Sequence, residues 1–312
     1  MGPARLAWLL LALLVGTMTA GCMAYQQTPL QDPGKAYLNI ASSELRFEDT
    51  GWPDVDETAD VPVLFLHGFG SSLETWQLVA PLLCQTRRCV SMDLPGFGLS
   101  SKYEQPYDAP AMVAAVLGLM DSLDLDRVDL VAHSYGCSVA LALAADHPLR
   151  VRRLVISDGF AYADQMPWFF AWSRPPVLGE LLFGLFYDQQ LDWRIPLSFH
   201  NREMVSHAMV MRAYEALRRP GTRASALAVV RGLELEAAEQ GYGSLPHHVL
   251  VVWGREDTVT PLRYGERLAQ HLPRATISVV PFAGHFPMIE APGMYAEQVG
   301  AFLARRGLEE AR

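Results

Sequence analysis

Half of the 312 residues are hydrophobic, 19% are charged, and the formal net charge is −9 at pH 7. That apolar fraction suits one large packed domain with room for a small insertion, and argues against disorder. The negative balance argues against a nucleic-acid binder, since a phosphate backbone needs clustered cations; the pairs Arg87-Arg88, Arg152-Arg153 and Arg218-Arg219 read as solvated surface rather than a patch.

The chain opens with one cation, Arg5, then an apolar run from Leu6 to Val15, then small residues up to Gly21 before Cys22. A charged start, a short apolar stretch and a small-residue end make an export signal. Thr19-Ala20-Gly21-Cys22 is also similar to a bacterial lipobox, although Leu is the commoner residue at the Thr19 position. The resemblance implies cleavage after residue 21, lipid on the Cys22 sulfur, and a membrane-attached protein on the periplasmic or cell-surface side. More than one acyl chain gives a stable hold on a bilayer. An ordinary cleaved signal and an uncleaved anchor are the competing readings. Met23 to Ala36 has Gln, Thr, Pro, Asp and Gly without an apolar period, so residues 22–40 read as a tether.

Beyond the tether, short apolar runs alternate with longer helix-like stretches, the pattern of an α/β protein. It predicts a mostly parallel sheet with helices on both faces. Val63 to Leu66 is a buried strand, followed by a helix carrying Trp76, Leu78 and Leu82. Cys89 to Met92 is the next strand. Cys84 and Cys89 flank a short polar link, and are either a disulfide in an oxidising compartment or two free thiols. Helices over 109–123 and 138–147 flank the strand Val128 to Ala132, and Leu154 to Ser157 is a further strand. Between residues 159 and 239 strand runs vanish and aromatics accumulate, among them Trp168, Phe169, Phe170, Trp172, Phe183, Phe186, Tyr187 and Trp193. This stretch reads as a helical cap over the sheet's C-terminal edge, where α/β sheets bind ligands. Residues 41–158 and 240–312 then form the core, with strands at Val249 to Trp253 and Thr276 to Val280. The last helices run from Pro261 to His271 and from Met294 to Arg305.

Four pieces carry chemistry. Ala132-His133-Ser134-Tyr135-Gly136 stands between a predicted strand and a predicted helix, where a sharp turn lifts a Ser hydroxyl above the sheet edge. The helix start behind it offers a free N–H, that of Tyr135, and a positive dipole end to a developing oxyanion. His67-Gly68-Phe69-Gly70 follows a strand and places the Phe69 N–H as a second donor. Asp257, in Gly254-Arg255-Glu256-Asp257, and His285, in Gly284-His285-Phe286-Pro287, each follow a strand, and so fall on the same edge as Ser134. The order Ser…Asp…His suits a triad in which the imidazole takes the hydroxyl proton and the carboxylate fixes the imidazole.

Together with Asp93-Leu94-Pro95-Gly96-Phe97-Gly98-Leu99-Ser100, these segments resemble the capped, lipase- and esterase-like branch of the α/β-hydrolases. That branch takes in monoacylglycerol lipases, carboxylesterases and C–C bond hydrolases. Relatives that hydrolyse epoxides or haloalkanes place Asp at the elbow, where this chain has Ser134. The resemblance implies a serine hydrolase of apolar, lipid-like carboxylic esters working through an acyl-enzyme. C–C bond or lactone hydrolysis and acyl transfer are alternatives on the same triad, and a non-catalytic binder ranks last. It implies a small-molecule substrate and no metal, nucleotide or flavin. Asp158, after the Leu154 to Ser157 strand, is a rival acid that Asp257 outranks through its Gly-x-x-Asp loop. Asp93 reads as structural, His133 as packing, Cys137 as a small core residue. The other histidines, His247 among them, lack metal-ligand spacing and read as surface or cap.

Overall fold

The computed structural model describes residues 23–54, 61–187, 189 and 191–305; the expected signal and the lipidation site Cys22 lie outside them. Eight strands form one mixed sheet: β1 (Ala36–Ile40), β2 (Ser43–Asp49), β3 (Val63–Leu66), β4 (Cys89–Met92), β5 (Val128–His133), β6 (Val151–Ser157), β7 (His248–Gly254) and β8 (Ala275–Val280). Across the sheet the order is β1-β2-β4-β3-β5-β6-β7-β8. From β4 to β8 every neighbouring pair is parallel. β1 and β2 are antiparallel at one edge.

Strand side chains alternate between the two faces and so sort two cores. Leu64, Leu66, Leu130, Ala132, Leu154 and Ile156 face helices α2 (Ala109–Ser122) and α3 (Tyr135–Asp146). Val63, Phe65, Val131, Val155 and Val252 face the opposite layer, which holds Trp76, α1 (Ala80–Leu83) and the last two helices, α11 (Pro287–Glu290) and α12 (Pro292–Leu303). Burial on both faces is why these strands read as unbroken apolar runs. Each fully buried side chain of this size contributes roughly 1.5–3 kcal/mol of transfer free energy. Between β6 and β7 the chain leaves the sheet and builds a cap of short helices, α4 (Trp168–Ser173), α5 (Leu178–Phe186), α6 (Leu191–Leu197), α7 (His207–Arg218), α8 (Thr222–Arg231) and α9 (Leu235–Glu239). It then returns through β7, α10 (Arg263–His271) and β8.

Several expectations need correction. Residues 23–40 are not a free tether. The Gln26 N–H donates to the Lys102 carbonyl at 3.0 Å, Tyr25 stacks on Tyr107, Asp32 pairs with Arg219 at 3.2 Å, and β1 is built from residues 36–40. Backbone pairing and single docked side chains need no apolar period, so periodicity could not reveal them. The helix expected around Trp76 is a 3-10 turn, Leu73–Trp76, followed by the single turn α1; Trp76 is buried whereas Leu78 and Leu82 face out. The arginine pairs are not solvated throughout: Arg87 and Arg153 are buried, and Arg152 forks onto buried Asp129 at 2.9 and 2.5 Å. Nor is His247 a surface residue; it is buried with Nε2 3.0 Å from the Pro148 carbonyl. Of the two readings of Cys84 and Cys89, the structure shows the disulfide, which joins the end of α1 to the start of β4. Cys137 is buried with a free thiol, as expected of a small core residue.

Candidate active site

Parallel strands deliver their C-terminal ends to one edge, and the chemistry-bearing residues follow those ends. The loop of Gly68 and Phe69 leaves β3, Ser134 ends β5, Asp158 ends β6, Asp257 follows β7 and His285 follows β8. Such an edge is where an open α/β sheet forms its crevice.

No residue separates β5 from α3 except Ser134, and its backbone carries the whole reversal at φ 50°, ψ −119°. A non-glycine residue at positive φ is strained, and the surroundings must hold it there. The Ser134 N–H donates to the Ser157 carbonyl, and its own carbonyl accepts from Cys137 and Phe160. The turn also needs small neighbours. A Cβ on Gly136 would sit 2.6 Å from the carbonyl oxygens of Leu66 and His67, and one on Gly68 would sit 3.0 Å from the Ser134 Cβ. The helix expected from Ser138 therefore starts three residues earlier, which places the Tyr135 N–H at its first turn, without an intrahelical acceptor.

His285 and Asp257 meet. His285 Nδ1 lies 2.8 Å from Asp257 Oδ2, so Nδ1 carries the proton and Nε2 is left as the basic atom. Asp257 is itself held by the N–H groups of Val259 and Thr260 and by the Thr260 hydroxyl, at 2.7–3.0 Å. Burial pushes this carboxyl up, but the imidazole and the Thr260 donors outweigh it, and Asp257 stays below the usual carboxylate range. The His285 N–H donates to the Ser198 carbonyl at 2.8 Å, which ties the histidine loop to the cap. Glu290 braces the same loop, accepting from the N–H groups of Gly284, His200 and Asn201.

His133 does more than pack. Its Nε2–H donates to the His285 carbonyl at 2.7 Å, linking the elbow to the histidine loop, while Nδ1 has no partner. Full burial, then the neighbouring His285 ring, hold its pKa well below the ordinary value, so it is a neutral strut. His67 plays a similar part, accepting from the Leu94 N–H and donating to the Gly68 carbonyl. Asp93 is structural as expected: it accepts from Leu73 and Leu99 and pairs with buried Arg46. Asp158 is completely buried; one oxygen accepts from Gly254 at 2.8 Å and the other has no partner. Burial, and next the adjacent Asp257 charge, push it well above the usual carboxylate range, so it stands as a neutral acid. Asp158, Asp257 and His285 offer ligand-type atoms within 4.8 Å of one another. With Nδ1 of His285 already committed to Asp257, the set is an acid–base cluster more than an ion cage.

Ser134, Phe69, Tyr135 and His285 all line one cavity of about 620 Å³ between sheet edge and cap. Its walls are mainly aromatic and aliphatic, with Phe160, Phe170, Tyr187 and Leu217 among them, and Arg194 is a cationic lining residue. A hydroxyl on a strained turn, a carboxylate-paired imidazole and a largely apolar cavity are suited to attack on a carbonyl carbon. Of the residues singled out by sequence reasoning, Ser134, His285, Phe69 and Tyr135 line one cavity and Asp257 lies against His285. That reasoning missed Thr260, Glu290, Ser198 and the bond from His133; only Thr260, three residues after Asp257, leaves a local signal.

Comparison with known proteins bears on the fold. The family model described as alpha/beta hydrolase fold matches residues 61–292. A 2-hydroxymuconate semialdehyde hydrolase from Pseudomonas sp. (strain CF600) is 33% identical over 80% of this chain and 89% of its own. Among solved structures, wild-type Cfl2 from Burkholderia cenocepacia is 26% identical, with a TM-score of 0.75 over 88% of this chain and 100% of that one. A thermophilic esterase from Thermogutta terrifontis is 24% identical, with a TM-score of 0.71 over 86% of this chain and 97% of its own, a likeness of fold alone.

Proposed function

This chain belongs to the alpha/beta hydrolase fold family, and from that premise we propose that it is a serine hydrolase cleaving a carbon–carbon bond beside a ketone, with Ser134 as nucleophile. The carrying observation is that a strained-turn hydroxyl and an Asp257-paired imidazole open onto one largely apolar cavity.

In this reading His285 Nε2 takes the Ser134 proton as the oxygen attacks the ketone carbon, and Asp257 stabilises the imidazolium. The N–H groups of Phe69 and Tyr135 receive the oxyanion, each worth on the order of 3 kcal/mol of barrier. Collapse breaks the carbon–carbon bond. Its electron pair stays on the departing carbon, delocalised into adjacent unsaturation, and that carbon takes the proton from His285. Water, deprotonated by the same imidazole, then releases the acyl group as an acid and restores the Ser134 hydroxyl.

The relatives favour this bond, since the matched Pseudomonas enzyme is named as a hydrolase of 2-hydroxymuconate semialdehyde, a molecule with no ester or amide bond to cleave. Arg194 on the cavity offers a cation to a substrate carboxylate. The second reading is hydrolysis of apolar esters, the expectation from sequence, and the aromatic wall favours it. A 2-hydroxy-6-oxo-dienoate assayed beside chromogenic esters of graded chain length separates them. The dienoate is expected to give the higher kcat/KM, with a drop on the order of 10⁶ in kcat for Ser134→Ala. An ester preference would move the assignment to the second reading, and an active Ser134→Ala protein would remove both.

A further inference from the structure

Two cap helices are apolar on the side turned away from the protein. On α4, Trp168 and Trp172 are four residues apart and 71% and 63% exposed. On α5, Leu178, Leu185 and Phe186 share one stripe at i, i+7 and i+8 and are also exposed, as is Val177 just before it. The inner sides are already used: Phe169 meets Phe183 at 5.3 Å and Phe183 stacks on Tyr187 at 4.8 Å. A cap helix facing water should be polar outside, and these are not. The charged side chains of the hairpin turn toward Arg231: the Arg231 guanidinium donates to the Glu180 carboxylate at 2.8 and 3.0 Å, and the Arg174 guanidinium donates to the Arg231 carbonyl at 3.4 Å. Among the described residues, α4 and α5 carry no charged side chain other than this paired Glu180.

The start of the described chain lies against the same hairpin. Met23 and Tyr25 line a cleft with Glu180 of α5 and with Leu227 and Arg231 of α8. The 22 residues before Met23, with the apolar run Leu6 to Val15 and Cys22, therefore join the body at the α5–α8 seam, on the Glu180 side of the helix that carries the outer stripe. Whether that segment is retained or replaced by lipid on Cys22, its attachment point sets which side of the protein lies nearest a membrane.

We propose that the outer face of α4 and α5 rests on a phospholipid bilayer to which the N-terminal segment holds the protein, with Trp168 and Trp172 at headgroup level. Indole rings favour that depth, and the aliphatic stripe of α5 supplies the apolar contact. The formal net charge of −9 gives anionic lipid no advantage, so the contact depends on apolar and aromatic burial. The opposite side of α4 lines the reaction cavity through Phe169 and Phe170, so the helix that meets the bilayer also walls the site.

The test is tryptophan quenching of the full-length chain reconstituted in phosphatidylcholine vesicles with brominated acyl chains, beside a Trp168→Phe/Trp172→Phe protein. The chain has seven tryptophans, of which Trp76 and Trp253 are buried in the body. Removing the two cap indoles is expected to abolish about half or more of the quenchable emission. Leu185→Glu/Phe186→Glu, which keeps both indoles, is expected to reduce their quenching at least twofold while near-UV circular dichroism stays native. Unchanged quenching in the double Phe protein, or failure of the chain to stay with vesicles, overturns the proposal. So does a stable dimer in which the same indoles are protected without lipid.

Discussion

At the scale of single residues, the question with most chemistry in it is which carboxyl serves His285. Asp158 and Asp257 are both buried beside the imidazole, yet only Asp257 contacts Nδ1, and Asp257 accepts from three further donors where Asp158 accepts from the Gly254 N–H. Two adjacent carboxyls out of water hold one negative charge between them, and the site gives that charge to Asp257. Asp257→Asn is therefore expected to lower kcat by about 10⁴, because the amide stabilises the wrong tautomer. Asp158→Asn preserves a neutral group, and kcat is expected to stay close to that of the wild type; a loss matching Asp257→Asn would make Asp158 the acid. The groups facing Asp158 are Asp257, His285, Glu290, Cys137 and Tyr295. Its raised pKa means the folded state binds a proton the unfolded chain has released, so this group costs stability as pH rises above the ordinary carboxylate range. Urea midpoints should accordingly show Asp158→Asn gaining on the wild type from pH 4 to pH 7. Both acids were legible as candidates because each follows a strand. Their ranking rests on Thr260 and the Gly254 N–H, which meet them only in space.

At the scale of elements, the strands from β3 onward were readable because they are buried on both faces and written as apolar runs. β1 and β2 were not. They pair through their backbones, and β2 buries Glu44 and Arg46 beside Leu45, which masks any alternation. The elbow shifted for a related reason: Tyr135, Gly136 and Cys137 look like a turn in sequence, but backbone contacts with β3 and β6 force the helix to start at once. The Cys84–Cys89 bond closes a short loop between α1 and β4, far from the cavity. Chain-entropy reasoning for so short a loop gives about 2 kcal/mol. Replacing both residues by Ser is expected to lower the thermal midpoint by several degrees while kcat/KM stays within about twofold of the wild type; an equally stable double variant would show that the bond is dispensable.

At the scale of the whole molecule, the division into sheet and helical cap was plain from the change of rhythm near residue 159, but the cap's orientation was not. Its aromatic residues look alike in sequence, and only burial separates Phe170 and Tyr187, which face the cavity, from Trp168 and Phe186, which face out. The account as a whole depends on one event, transfer of an acyl or phosphonyl group to Ser134. Peptide-level mass spectrometry after treatment with a fluorophosphonate tests it most directly. The account predicts a single adduct on Ser134, absent from Ser134→Ala and slowed by orders of magnitude in His285→Gln. No adduct on the folded wild-type protein, or an adduct on another residue that survives Ser134→Ala, would contradict it.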